Sequence, residues 1–211
     1  MKVAQFTFNA FQENTYVLYD NSGECVIVDP GCNNDEERQT LVKFIEDNGL
    51  KPAKLINTHC HIDHVLGNKF IAEKYGLTLE AHEGEVQVLN TCETVSKMYG
   101  IAYDGSPAIG SFIKEGIDYT FGDSTLRTIF TPGHSPASLS FYCEASKVLI
   151  AGDALFQGSI GRTDLPGGDY DTLIKNIKEK LLVLPEDVVV YSGHGPSTTI
   201  GNEKLTNPFL T

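Results

Sequence analysis

Apolar and polar positions alternate in short runs through the first thirty residues. Val3 to Phe8, Thr15 to Tyr19 and Cys25 to Val28 carry the two-residue period of half-buried strands, separated by turn sequences such as Asn21-Ser22-Gly23 and Asp29-Pro30-Gly31. This pattern predicts antiparallel strands joined by turns. From Asp35 to Asn48 the period lengthens: Leu41, Val42, Phe44 and Ile45 fall among charged residues and Gly49 follows as a stop, which predicts a helix. A short strand over Lys54 to Asn57 comes next, then helices over Phe70 to Tyr75 and Glu83 to Tyr99 with a strand over Thr78 to Ala81 between them. The second half repeats the plan, with strands at Leu126 to Phe130, Leu139 to Tyr142 and Val148 to Ala151, a helix over Asp171 to Leu182 and a strand over Val188 to Tyr191. The segment Tyr103 to Lys114, with Gly105, Pro107 and Gly110, reads as a surface loop within one domain. Two strand-rich halves, each closed by helices, predict an α/β (α+β) fold with two sheets packed face to face and helices outside, a four-layer αββα sandwich over residues 1–211.

Length and composition fit that reading. A chain of 211 residues fills one sizeable domain, and 41% hydrophobic with 21% charged residues is ordinary for a globular protein. No segment approaches the roughly 20 apolar residues that span a bilayer. Met1 to Asp20 holds Gln5, Asn9, Gln12, Glu13 and Asn14 and no signal-peptide apolar run, so a cytoplasmic location and no membrane partner are expected. Sixteen basic against 28 acidic residues give a net charge of −12 with no basic cluster, which argues against a nucleic-acid partner. Five cysteines without a Cys-x-x-Cys pair read as reduced thiols.

The candidate chemistry is concentrated in Thr58-His59-Cys60-His61-Ile62-Asp63-His64, four possible metal ligands in six consecutive positions. Side chains two apart on an extended segment point the same way, so His59 and His61 suit one ion, while Asp63 and His64 lie past a bend and suit another. Cys60, pointing to the opposite side, reads as packing. Three later positions share one grammar, an apolar strand that stops at glycine and then presents a ligand: Gly133-His134, Gly152-Asp153 and Gly193-His194. Functional groups at the carboxyl ends of strands are where open α/β sheets place their sites. Imidazole with carboxylate suits zinc, iron or manganese. The sixth histidine, His82, lies at a strand-to-helix junction and reads as a cap or surface residue. Tyr191 reads as packing for its strand.

The pattern His-x-His-x-Asp-His followed by His134, Asp153 and His194 resembles the metallo-β-lactamase superfamily across nearly the whole chain. The resemblance implies the αββα fold and two metal ions per chain, most simply zinc. The first ion would take the residues matching His59, His61 and His134 and the second those matching Asp63, His64 and His194. Asp153 would bridge the two, with a hydroxide between them oriented by Asp63 as a catalytic residue. An aspartate at 153, where lactamases of the family often carry cysteine, together with Gly152-Asp153-Ala154-Leu155-Phe156 through Gly161-Arg162-Thr163-Asp164, resembles the glyoxalase II (hydroxyacylglutathione hydrolase) branch. Members acting on glutathione thioesters carry a further helical domain after the last metal histidine. Only seventeen residues, Gly195 to Thr211, follow His194 here, so the short, single-domain type is expected. The implied activity is hydrolysis of a thioester such as S-lactoylglutathione, a small-molecule substrate. Arg162 reads equally as a contact for an anionic part of the substrate or as an ion-pair partner of Asp164. The rival on the same scaffold is a persulfide dioxygenase with one iron on the matches of His59, His134 and Asp153. A lactonase, a nuclease and a non-enzymatic metal-binding module stand behind it.

Overall fold

A computed structural model describes residues 1–211. The chain divides into two compact units, Met1–Ile113 with Thr120–Ser124, and Lys114–Tyr119 with Thr125–Thr211.

The first six strands are β1 (Lys2–Phe8), β2 (Glu13–Tyr19), β3 (Glu24–Val28), β4 (Lys51–Ile56), β5 (Leu79–Ala81) and β6 (Ser111–Phe112), which form one sheet in that order. The β1–β2–β3 meander is antiparallel, as its alternation predicts; β4, β5 and β6 are added in parallel, which requires crossovers. Helices supply them: α1 (Asp35–Asp47), α2 (Ile62–Val65), α3 (Asn68–Tyr75) and α4 (Val86–Tyr99). Asn34 caps α1 by accepting from the Glu37 amide, and three acidic residues in its first turn complement the positive end of the helix. The helical period of α1 has its expected outcome, with Leu41 and Ile45 buried in a core with Val17, Ile27, Leu55 and Leu79.

The second sheet runs β14-β13-β10-β9-β8-β7, from β7 (Asp118–Phe121), β8 (Ser124–Phe130), β9 (Leu139–Cys143), β10 (Val148–Gly152), β13 (Val189–Ser192) and β14 (Thr198–Thr199). Between them lie a two-stranded hairpin, β11 (Leu155–Phe156) with β12 (Ser159–Ile160), and the helices α5 (Tyr170–Asn176) and α6 (Ile200–Thr206). β9 and β10 are buried at every position, so they read as continuous apolar runs and not as alternation. The helix predicted over Asp171 to Leu182 is two pieces: α5 gives way to a π-helical turn, Ile177–Leu181, which still buries Ile177 and Leu181. The predicted loop over Tyr103 to Lys114 is irregular until its end, where Ser111 and Phe112 pair with β5 as β6. No helix is long and apolar enough to cross a membrane.

Candidate metal centre

In the first unit the chain leaves β4 at Ile56, runs without regular structure through His61, and enters α2 with His61 as its N-cap. This places His59 and His61 with ring centres 4.8 Å apart and His59 and His64 with ring centres 4.1 Å apart. His59 and His64 are fully buried, while His61 and Asp63 are half-buried. The single helical turn thus brings Asp63 and His64 back beside the pair that the extended segment presents.

Asp29, at the end of β3, organises this group. Its Oδ1 accepts from the Thr58 amide (2.7 Å) and Asn57 Nδ2 (3.2 Å), and its Oδ2 accepts from Thr58 Oγ1 (2.6 Å). The same Oδ2 lies 3.2 Å from His64 Nδ1. A carboxylate only accepts, so His64 Nδ1 carries a proton, and in the neutral ring that binds a metal the lone pair is then on Nε2. Thr58 Oγ1 donates its one hydrogen bond to Asp29 and therefore accepts from His59 Nδ1, 3.1 Å away, which places a proton on Nδ1 there too. His64 Nε2 then faces Asp63 Oδ2 at 3.6 Å. Two electron-rich atoms confront one another, an arrangement that a cation between them satisfies and a hydrogen bond does not. Donor atoms of Asp29, His59 and His64 all lie within 4.8 Å of one another. Both Asp29 oxygens already accept hydrogen bonds, an arrangement that suits orientation of the candidate ligands, as outer carboxylates commonly do at metal sites.

Side chains from other segments hold this loop along its length. Asn57 Nδ2 donates to the His64 carbonyl (3.0 Å), and Asn68 Nδ2 donates to Asn57 Oδ1 (2.8 Å) and Ser106 Oγ (3.0 Å). Asn9, in the left-handed conformation that asparagine tolerates (φ 54°), donates to the carbonyls of Asp63 and Gly31 at 3.0 Å each. Glu85 accepts from the Cys60 amide at 2.9 Å. Glu13 is fully buried with Oε1 4.0 Å from His64 Nδ1. Burial pushes its carboxyl well above the usual range; His64 opposes the shift, and the like charges of Asp29 and Asp63 add to it.

In the second unit three strand ends present the remaining candidates. His134 follows β8 through Pro132 and Gly133, Asp153 follows β10, and His194 follows β13. Gly133 (φ 131°) and Gly152 (φ 52°) adopt backbone conformations that side chains disfavour, as the strand-then-glycine grammar requires. His134 Nδ1 donates to the Arg162 carbonyl at 2.8 Å, which leaves the lone pair on Nε2, 3.4 Å from Asp153 Oδ2. His194 Nε2 lies 3.5 Å from the same carboxylate oxygen. Two imidazoles thus converge on one acid. Phe156 meets His194 edge-on, ring centres 6.2 Å apart.

The remaining sequence candidates fall as follows. His82 caps the 3₁₀ turn Glu83–Glu85, its Nδ1 accepting from the Gly84 amide. Cys60 is fully buried and burial pushes its thiol well up, with Glu85 adding to the shift, which fits packing. All five cysteines are buried, and none is paired in a disulfide. Arg162 forms a two-pronged pair with Asp164, both bonds 2.7 Å and both side chains exposed. The sequence reading does not single out Asp29, Asn57, Asn68, Asn9, Glu13 or Glu85 as site residues. Asp29 stands in a sequence that spells a turn, and its partners arrive from residues 57–64.

The chain matches the family model described as Metallo-beta-lactamase superfamily over residues 8–194, and it belongs to that family. It is 38% identical over 212 residues to "Probable metallo-hydrolase YqgX" of Bacillus subtilis (strain 168), covering 100% of this chain and 98% of that one. It is 34% identical over 217 residues to "Hydroxyacylglutathione hydrolase GloC" of Haemophilus influenzae, with the same coverages. Among solved structures it superposes on BLEG-1 B3 metallo-beta-lactamase with a TM-score of 0.91 at 37% identity over the whole of both chains. A second, TTHA1623 in a di-iron-bound form, gives 0.89 at 34% identity over 99% of this chain and 100% of that one. The fold is therefore the metallo-β-lactamase fold, and the chain is a metallo-hydrolase-superfamily protein whose His and Asp groups suit divalent metals.

Proposed function

We propose that the chain is a binuclear metal-dependent hydrolase that cleaves an acyl thioester, S-lactoylglutathione or a relative of it. The observation that carries this reading is the convergence of imidazoles on carboxylates, His64 Nε2 facing Asp63 Oδ2, and His134 Nε2 and His194 Nε2 both facing Asp153 Oδ2. The tautomers of His59, His64 and His134 are already fixed by Thr58, Asp29 and Arg162, so metal-binding lone pairs are preorganised. His59, His61 and His134 would hold one ion, Asp63, His64 and His194 the other, with Asp153 shared. Bound there, divalent cations would acidify a water and polarise a carbonyl. The similarity to TTHA1623, solved in a di-iron-bound form, supports iron beside zinc as an occupant.

The chain's own groups then divide the work. Asp63, its backbone carbonyl held by Asn9, orients the attacking water by accepting a hydrogen bond from it, and the proton that the water loses ends on the departing thiolate. Water adds to the thioester carbonyl, the C–S bond breaks, and a carboxylic acid and a thiol are released. A thiolate leaves readily, so no dedicated general acid is required. Arg162, exchanging its exposed pair with Asp164 for a substrate carboxylate, would bind an anionic part of the thiol carrier. The relative named hydroxyacylglutathione hydrolase supports the thioester over a lactam or phosphodiester substrate. The net charge of −12 supports a small-molecule partner over a nucleic acid, and the five unbridged cysteines support a reducing, cytoplasmic setting.

The test is hydrolysis of S-lactoylglutathione beside other acyl thioesters and lactones, with bound metal quantified in the same sample. Thioester turnover that tracks two metals per chain is expected. One iron per chain with oxygen uptake on a persulfide, or turnover of lactones alone, would overturn the proposal.

A further inference from the structure

The hairpin β11–β12 has two residues per strand, too few for an isolated ribbon to hold its own position. It nevertheless connects Asp153 to Gly161-Arg162, the segment whose carbonyl fixes the His134 tautomer. Something outside the hairpin sets where it lies. Ser192 Oγ donates to the Leu155 carbonyl at 2.6 Å, holding the first strand to β13. The tip is held by α6: Glu203 Oε2 accepts from the Gly158 amide at 2.9 Å, and Asn207 Nδ2 donates both to the Ser159 carbonyl (3.0 Å) and to Glu203 Oε2 (2.8 Å).

Glu203 is fully buried, and no lysine or arginine pairs with it. Its other oxygen accepts from Thr198 Oγ1 (2.6 Å) and Asn202 Nδ2 (2.8 Å). Burial alone would push this carboxyl up, but the four donors outweigh it and hold the group below the usual glutamate range. A buried charge is costly unless it is fully hydrogen-bonded, and this one spends one acceptor position on the tip of a hairpin with two residues per strand.

We infer that Glu203 is a positioning residue for His134: it clamps the β11–β12 tip and thereby fixes the Arg162 carbonyl that orients the His134 ring. Beyond the tip the chain has no slack. A Cβ on Gly161 would stand 1.9 Å from the Asp153 carbonyl oxygen and 3.0 Å from the His134 Cβ, so the strand leaving the hairpin lies flush against both candidate ligands. A displaced tip therefore carries Arg162, and with it the His134 Nδ1 partner, out of register. The inference rests on the reading of His134 as a ligand, and two of its readouts do not.

The test compares Glu203→Ala, Glu203→Gln and Thr199→Ala. Thr199 caps α6 by accepting from the Asn202 amide and touches nothing in the hairpin, so its loss weakens the helix alone. Glutamine keeps one oxygen for Gly158 and Asn207 and turns its amide toward Thr198, whose hydroxyl can reverse to accept it, and toward Asn202, whose side-chain amide can flip to present its oxygen. In metal-free protein, Glu203→Ala is expected to speed amide exchange at Gly158 and to lose the hydrogen-bonded Nδ1 proton signal of His134. Zinc affinity measured against a competing chelator should fall about 10- to 100-fold, the usual scale for loss of an outer-shell support. Glu203→Gln should restore most of each signal, and Thr199→Ala should lower the melting temperature only. If Glu203→Ala does not fold, Asn207→Ala, which removes the Ser159 arm, should shift the same signals in the same direction. The inference is overturned if the clamp variants lower the melting temperature while the His134 proton and zinc affinity stay as in the wild type. A wild-type protein that binds no metal would defeat the functional proposal instead, and the Gly158 and His134 signals would still decide the clamp.

Discussion

Asp29→Asn isolates the orienting role of one carboxylate. Asparagine keeps the shape and tolerates the left-handed backbone at this position (φ 47°), so the change is confined to hydrogen bonding and the loss of one negative charge. Its oxygen would keep the pair of donors that Oδ1 now serves, the Thr58 amide and Asn57 Nδ2. Its NH₂ would then stand where Oδ2 faces Thr58 Oγ1 and His64 Nδ1. The threonine hydroxyl can reverse and accept. The imidazole cannot accept at Nδ1 unless it moves its proton to Nε2, the atom that faces Asp63. One buried donor against another costs about 1–3 kcal/mol, which for a chain of this length lowers the melting temperature by about 2–12 °C. If the ring instead changes tautomer, the loss appears as metal affinity, about 10- to 100-fold, or about 1.4–2.8 kcal/mol. Chelator competition with zinc, thermal melting of the metal-free protein and the ¹⁵N shifts of the His64 ring read the two outcomes separately. A variant with wild-type zinc affinity, melting temperature and ring shifts would refute the reasoning.

Gly161→Ala should abolish metal retention and most turnover, because its methyl carbon meets the Asp153 carbonyl oxygen at 1.9 Å and backbone has to move; metal content after dialysis checks this. Arg162→Ala should raise KM for thioesters with a carboxylate-bearing thiol about tenfold or more while leaving neutral thioesters and kcat nearly unchanged, as expected when a ground-state contact is lost. Asp20, which accepts from Ser22, Ser124 and the Asp123 amide, has a pKa of about 2, since these hydrogen bonds outweigh the upward push of burial. A lowered folded-state pKa stabilises above the unfolded value of about 3.9, and that contribution is lost as pH falls through about 2. Acid unfolding of Asp20→Asn should therefore match the wild type near pH 2 and fall behind it above about pH 4.

Much of this was legible in the chain. The meander, α1 and β8 follow from period and turn chemistry, because each is long enough to show a period, and β9 and β10 follow from largely apolar runs bounded by turns. β6, β11, β12 and β14 have two residues each and carry none; their existence depends on partners such as β5 and Ser192. The π-helical turn at Ile177–Leu181 likewise has no local signature. The candidate ligands stood out because histidines are rare and glycine marks where a strand stops. Their supports did not, because an aspartate before Pro-Gly, an asparagine after a strand and a glutamate in a C-terminal helix look like turn, edge and surface residues until residues distant in sequence meet them.

Counting metal ions in wild-type protein and in Asp153→Ala, each purified without added metal and assayed for thioester hydrolysis, tests the central claim most directly. The account predicts two divalent ions per chain and turnover in the wild type, with both lost in the variant, since Asp153 faces His134 and His194 through one oxygen. Turnover undiminished in a variant that has lost its metal, or two ions retained without Asp153, would contradict it.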